Sequence, residues 1–158
     1  MRLIGWGKLW GVGVLASVSL AAGDGGTLAP VLRLSATASA EVAALEGYRV
    51  ADLTRLYFGA GDVSVRPTDK IALDELAKRL LSEPNWIVEL RGYAEGGISA
   101  DQNLELSQER AYAVAQSLIL RGVEPRHIVV LGLGEVDSSA PLRAEHQRVD
   151  ARIFAPEH

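Results

Sequence analysis

The segment N-L-E-L-S-Q-E-R-A, Asn103 to Ala111, lies just downstream of R-G-Y-A-E, Arg91 to Glu95. Asn103, Leu106, Ser107 and Arg110 are spaced i, i+3, i+4 and i+7, so on a helix they form one stripe over two turns. Glu95 falls where a strand would end. A guanidinium presents a planar fork of donors that matches a carboxylate. A carboxylate accepts from an ammonium, and an Asn amide both donates and accepts. Glu95, Asn103 and Arg110 together would suit an amino-acid head group carrying both charges. Spacing alone also fits a plainer arrangement, an amphipathic helix with a surface Arg110 paired to Glu105 or Glu109.

Several elements must position these groups. Leu53 to Phe58 reads as a strand that Gly59 and Gly61 end. Thr68 can cap a helix with Asp69 in its first turn. Leu73, Leu76, Ala77 and Leu80 give that helix one apolar face, and Asp74, Glu75, Lys78 and Arg79 give it a polar one. Trp86, Val88 and Leu90 alternate with Ile87, Glu89 and Arg91, a strand with one better-buried face. The second helix begins near Asp101, with Leu104, Ser107, Ala111, Val114, Ala115 and Leu118 as its core stripe and Gly122 as its stop. His127 to Leu131 and Arg148 to Phe154 read as short strands. The order β-α-β-α-β-β predicts an α/β (α+β) domain with a mixed sheet, parallel pairs, and helices on one or both faces.

The chain has 158 residues, room for one domain plus extensions. Its net charge of -4 offers no basic stripe for nucleic acid. No Cys is present, which removes disulfides, thiolate metal sites and cysteine nucleophiles. Arg2 and Lys8 precede the uncharged apolar run Leu9 to Ala22, followed by small residues, the pattern of an export signal. As a helix that run spans about 21 Å, short of a hydrocarbon core of about 30 Å. Residues 1–22 are therefore expected to be a signal peptide, or a retained N-terminal anchor if Leu3 to Gly7 extend it. Residues 23–47, with Gly25-Gly26, Pro30 and a small-residue run, are expected to be a linker, with room for a short helix around Ala40 to Glu46. Residues 48–158 form the domain.

Leu56 to Phe154 resembles the OmpA C-terminal-like family of peptidoglycan-binding domains, which includes the peptidoglycan-associated lipoprotein and the periplasmic domain of the flagellar stator protein MotB. The matching pieces come in order: Tyr57-Phe58-Gly59, Leu73-x-x-Leu76, Arg91-Gly92-Tyr93-Ala94-Glu95, Asn103-x-x-Leu106-Ser107-x-x-Arg110-Ala111, Gly132-Leu133-Gly134-Glu135 and Gln147-Arg148-Val149-Asp150. The resemblance implies a non-catalytic module of the periplasm or outer membrane that holds the diaminopimelate residue of the peptidoglycan stem peptide. It implies that Arg110 takes the ligand carboxylate and Glu95 its ammonium, that Asn103 assists and Leu106 lines the site, and that Arg148 supports it. Glu95 stands where the family has Asp, Ala94 where Thr is common, and Gln147 replaces the first of two Arg residues. The loop Val136 to Glu145 is short by family habit. These departures motivate a rival expectation, a degenerate member acting as a protein–protein scaffold in an envelope complex. Peptidoglycan is the expected partner, other envelope proteins a further one, with membrane contact only through the N-terminal segment and no cofactor.

Other signals point elsewhere only weakly. Gly132-Leu133-Gly134 lacks a third Gly for a dinucleotide turn, and too few residues follow it. His127, His146 and His158 lack metal-ligand spacing. His127 is expected to start a strand and His146 to sit in the loop before the last one. Nothing like a nucleophile elbow surrounds Ser107, whose spacing suits a small core residue. Trp86 fits a core strand better than a sugar platform. A wall-degrading enzyme would need a paired-carboxylate, zinc or activated-nucleophile site, and the sequence offers none.

Overall fold

In a computed structural model of the chain, the described residues are 32–33, 47–135 and 144–157. The expected export segment, and the helix expected at residues 40–46, lie outside them. The elements in order are β1 (Leu32–Arg33), β2 (Tyr48–Tyr57), α1 (Lys70–Ser82), β3 (Ile87–Tyr93), α2 (Ala100–Ile119), β4 (Ile128–Gly132) and β5 (Arg148–Pro156). The sheet order is β1-β4-β3-β5-β2. β3 and β4 are adjacent and parallel, joined through α2. β5 runs antiparallel to both β3 and β2 and lies between them. The crossover through α1 therefore joins two parallel strands held one position apart, with the last strand filling the gap. The expected mixed sheet is present. Within the segment read as a linker, Leu32–Arg33 pairs in parallel with Val129 and Val130 of β4.

Both helices bury their apolar stripes on the same sheet face. Leu73, Leu76, Ala77 and Leu80 of α1 and Ala111, Val114, Ala115 and Leu118 of α2 share one core with Leu56, Val88, Leu90, Ile128, Val149, Ala151 and Ile153. Strand periodicity of two puts these strand residues on one side, and register aligns them: Leu90 opposite Ala151, Val88 opposite Ile153, Leu56 opposite Val149. Each fully buried Leu or Ile contributes about 1.5–3 kcal/mol.

The start of α1 differs from expectation. Thr68 does not cap it; Pro67, with its preset φ, begins a 3-10 turn over Pro67–Asp69. Asp69 precedes the helix without a side-chain cap, and its carboxylate instead takes Arg66 Nε at 3.1 Å. The expected strand at His127 begins one residue later, after the 3-10 turn Pro125–His127. Trp86 is half-buried against the core just ahead of β3.

The side of β3 expected to be the less buried one also carries a buried residue. Glu89 is 1% exposed. Its Oε1 accepts from Arg91 Nε at 2.6 Å and from Arg152 Nη1 at 3.2 Å, while Oε2 receives no hydrogen bond. Burial pushes this carboxyl up, partly opposed by Arg152, and pushes the Arg91 guanidinium down.

Candidate functional site

α2 lies unusually close to β3 and β4 because two strand ends are glycine. A Cβ on Gly92 would collide with the Ser107 carbonyl, and one on Gly132 with Gln108. Ser107, fully buried, donates its Oγ to the Leu104 carbonyl at 2.7 Å and accepts from Gly134 N at 2.9 Å. It is a fastener between α2 and the β4 exit, as its spacing suggested. The β3 and β4 exits are also tied together, Leu133 N to Gly92 O and Ala94 N to Gly134 O, both at 2.9 Å. Ser99 caps the helix by accepting from Gln102 N at 3.2 Å, and Gln102 Oε1 accepts in turn from Ile98 N at 2.9 Å. This reciprocal cap, close to a capping box, starts the helix one residue before the expected Asp101.

The buried stripe of α2 keeps Ser107, Ala111, Val114, Ala115 and Leu118 as expected and departs at three positions. Leu104 is 40% exposed, whereas Asn103 and Arg110 are buried. Polar side chains take these inward positions because loop backbone groups await them there. Asn103 Oδ1 accepts from Gly97 N at 2.8 Å, and its Nδ2 donates to Glu135 Oε1 at 2.6 Å. Arg110 donates Nε to Asp62 O at 2.8 Å, Nη2 to Gly59 O at 2.8 Å, and Nη1 to Tyr93 O at 3.0 Å and Gln147 Oε1 at 2.6 Å. Four of its five N–H donors are thus used on neutral acceptors. The guanidinium also lies 5.4 Å from the Phe58 ring centroid. Burial pulls its pKa down, and the Asp62 charge partly restores it. The Asp62 carboxyl is itself lowered, chiefly by the Ser64 N–H. The plainer expectation, a surface Arg110 paired to Glu105 or Glu109, is not what forms.

These contacts build the wall of a cleft of about 860 Å³. Its lining includes Phe58 to Gly61, Glu95 to Gly97, Gln102, Asn103, Glu105, Leu106, Glu109 and Gln147. Of the expected residues, Glu95, Asn103 and Leu106 meet at its surface. Arg110 stands behind the wall. Arg148 does not reach the cleft: it pairs with Asp150 at 2.9 Å, stacks 4.6 Å from the Tyr93 centroid, and donates to Glu145 O at 3.0 Å. Its role is to hold the turn that precedes β5.

Glu95 is 6% exposed, and neither carboxylate oxygen receives a hydrogen bond. His146 Nδ1 approaches Oε1 to 2.7 Å but completes no hydrogen bond, so the contact is one of charge when the ring is protonated. Three lining residues are Glu and none is Lys or Arg. The described lining therefore favours a cationic group, while the Asn103 and Gln147 amides are engaged in holding the loops around it. His146 and the pocket acids Glu105 and Glu109 were not singled out as site residues from sequence; the two acids lie on α2 within the Asn103 to Ala111 segment, whereas His146 meets Glu95 through topology. Among the described residues no group of three His, Cys, Asp or Glu could hold a metal ion. No described helix is long and apolar enough to cross a membrane.

A split β-α-β sheet with a cleft at the β3 exit and an inward Arg on the following helix defines a recognisable class. Residues 57–152 match the OmpA family, and the chain belongs to it. It is 36% identical over 98 residues to the peptidoglycan-binding protein ArfA of Mycobacterium tuberculosis, a match covering 59% of this chain and 30% of ArfA. The chain thus spans about a third of that relative's length. The peptidoglycan-associated lipoprotein of Pseudomonas putida is 27% identical over 144 residues, covering 85% of this chain and 86% of that one. The crystal structure of the peptidoglycan-associated lipoprotein from Burkholderia pseudomallei superposes with a TM-score of 0.59 at 27% identity, covering 63% of this chain and 88% of that one.

Proposed function

We propose that residues 48–158 form a non-catalytic peptidoglycan-binding module of the cell envelope, periplasmic and outer-membrane associated, that holds the diaminopimelate centre of the stem peptide. The observation that carries this reading is Glu95. A carboxylate so deeply buried, with no hydrogen bond to either oxygen, lies at the edge of a cleft and is suited to receive an ammonium. Asn103 and Leu106 flank it. Arg110, fully buried behind the same wall, complements the ligand carboxylate through its charge and holds the two loops that shape the cleft. Arg148 supports the site through the Glu145 carbonyl. The names of ArfA and of the peptidoglycan-associated lipoproteins support the choice of ligand.

Each charge-assisted hydrogen bond contributes about 1.5–3 kcal/mol. One head group therefore binds in the micromolar to millimolar range, and firm attachment comes from many copies or a membrane tether. The test is cosedimentation of the purified full chain with diaminopimelate-type sacculi, comparing wild type with Glu95→Gln and Asn103→Ala. Binding that falls about tenfold or more in Glu95→Gln supports the clamp. A folded wild type that stays in the supernatant overturns it and leaves the protein-scaffold reading, to which the Glu95–His146 contact and Ala94 would then belong.

A further inference from the structure

We propose that His146 is a binding-site residue, the internal cation that occupies Glu95 and that a ligand ammonium must displace. The inference rests on the wall-binding reading and adds to it a second residue and a pH dependence. The imidazole lies 2.7 Å from Glu95 Oε1 with its side chain 12% exposed, so it stands where an incoming cation would. Glu95 Oε1, Glu95 Oε2 and His146 Nδ1 all lack a hydrogen bond, so a ligand ammonium that donates to both oxygens would satisfy groups that His146 leaves unsatisfied. The backbone need not move for the exchange. Arg148 Nη1 pins Glu145 O at 3.0 Å, and Gln147 is held by Arg110 and by the Glu95 carbonyl. The exchange then calls for rotation of the His146 side chain.

The direction of the pH effect follows from the charges. Glu95 faces His146 from the β3 exit. Arg110 of α2 lies beyond Gln147, with Asp62 of the β2 exit bonded to it through its carbonyl. Glu105 and Glu109 line the cleft from α2, and Glu135 is tied to Asn103 from the β4 exit. Glu145 and Arg148 belong to the turn itself. Carboxylates and guanidiniums ordinarily change charge outside the interval from about pH 5.5 to about pH 8, whereas imidazole changes within it. A protonated imidazole at this place competes for Glu95 as a cation, and a neutral one leaves the carboxylate to the ligand.

The experiment is calorimetric titration of the full chain with the tripeptide L-alanyl-D-glutamyl-meso-diaminopimelate, at about pH 5.5 and about pH 8. Wild type should bind about tenfold more tightly at the higher pH. His146→Asn should bind at both pH values as tightly as wild type does at the higher one, and His146→Gln serves as a second neutral replacement. A variant that is merely misfolded would lose affinity rather than gain it in acid. Binding whose pH dependence survives in both variants overturns the role of His146 and leaves the wall-binding reading intact. No binding by folded wild type at either pH overturns both.

Discussion

Arg110 Nη1 donates to Gln147 Oε1 at 2.6 Å, and the same amide donates its Nε2 to the Glu95 carbonyl at 2.7 Å. One side chain on α2 and one at the start of β5 thus lock the β3 exit. The other Arg110 donors fix the turn Gly59 to Asp62. The guanidinium is a hub for two loops that form opposite walls of the cleft.

Removing that hub should cost fold as well as binding. Arg110→Ala leaves the carbonyls of Gly59, Asp62 and Tyr93 without their donor and opens a cavity. We expect a loss of about 3–4 kcal/mol in urea denaturation. Arg110→Lys keeps the charge but cannot reproduce the planar fork, and should lose about 2 kcal/mol. A loss below about 1 kcal/mol in the alanine variant would contradict the hub. Wall binding by Arg110 variants is therefore interpretable only beside a stability measurement.

Asn103→Ala should act locally. The Gly97 amide loses its acceptor, and Glu135 loses its donor, while the α2 core residues remain in place. The expected result is faster hydrogen exchange at Gly97 with a global stability loss of about 1–2 kcal/mol. Unchanged exchange at Gly97 would mean that the loop is held by its own backbone.

Gly92→Ala tests the closeness of helix and strand. The added methyl meets the Ser107 carbonyl, a backbone group on a packed helix that cannot swing aside, with the Ala111 Cβ at 3.2 Å. The helix must lift from β3, at about 3 kcal/mol. Because Ser107 also holds Gly134, the strain should reach the cleft, and thermal unfolding together with cosedimentation would show both effects. A stable variant with normal binding would mean that α2 can slide without disturbing the exits.

These same contacts mark how far the sequence could be read. Periodicity locates both helices and the central strands because their apolar residues repeat at 3.6 or 2, and the N-x-x-L-S-x-x-R-A element locates the site. Periodicity fails on the cleft side of α2, where buried Asn103 and Arg110 look polar and exposed Leu104 looks apolar. What decides those positions is the set of backbone groups on loops far away in sequence. It fails again at Glu89, which reads as the less buried side of a strand and is covered by Arg152 from β5. His146 offers no local signal either. Its meeting with Glu95 depends on β5 inserting beside β3, a long-range pairing that spacing does not encode.

Glu89 supplies a pH test independent of the cleft. Burial raises its carboxyl above the ordinary 4.5, only partly countered by Arg152. The folded chain then holds this proton more tightly than the unfolded chain does. The stability linked to it is fully present below about pH 4.5 and is lost as pH rises through the raised folded value. Glu89→Gln cannot ionise and escapes that loss, while the other carboxylates titrate alike in both proteins. The difference in melting temperature, variant minus wild type, should therefore grow as pH rises from 4.5. The ion pairs with Arg91 and Arg152 work against this growth, since they form only with the ionised acid. A difference that shrinks with rising pH would show that the two arginines outweigh the cost of burial.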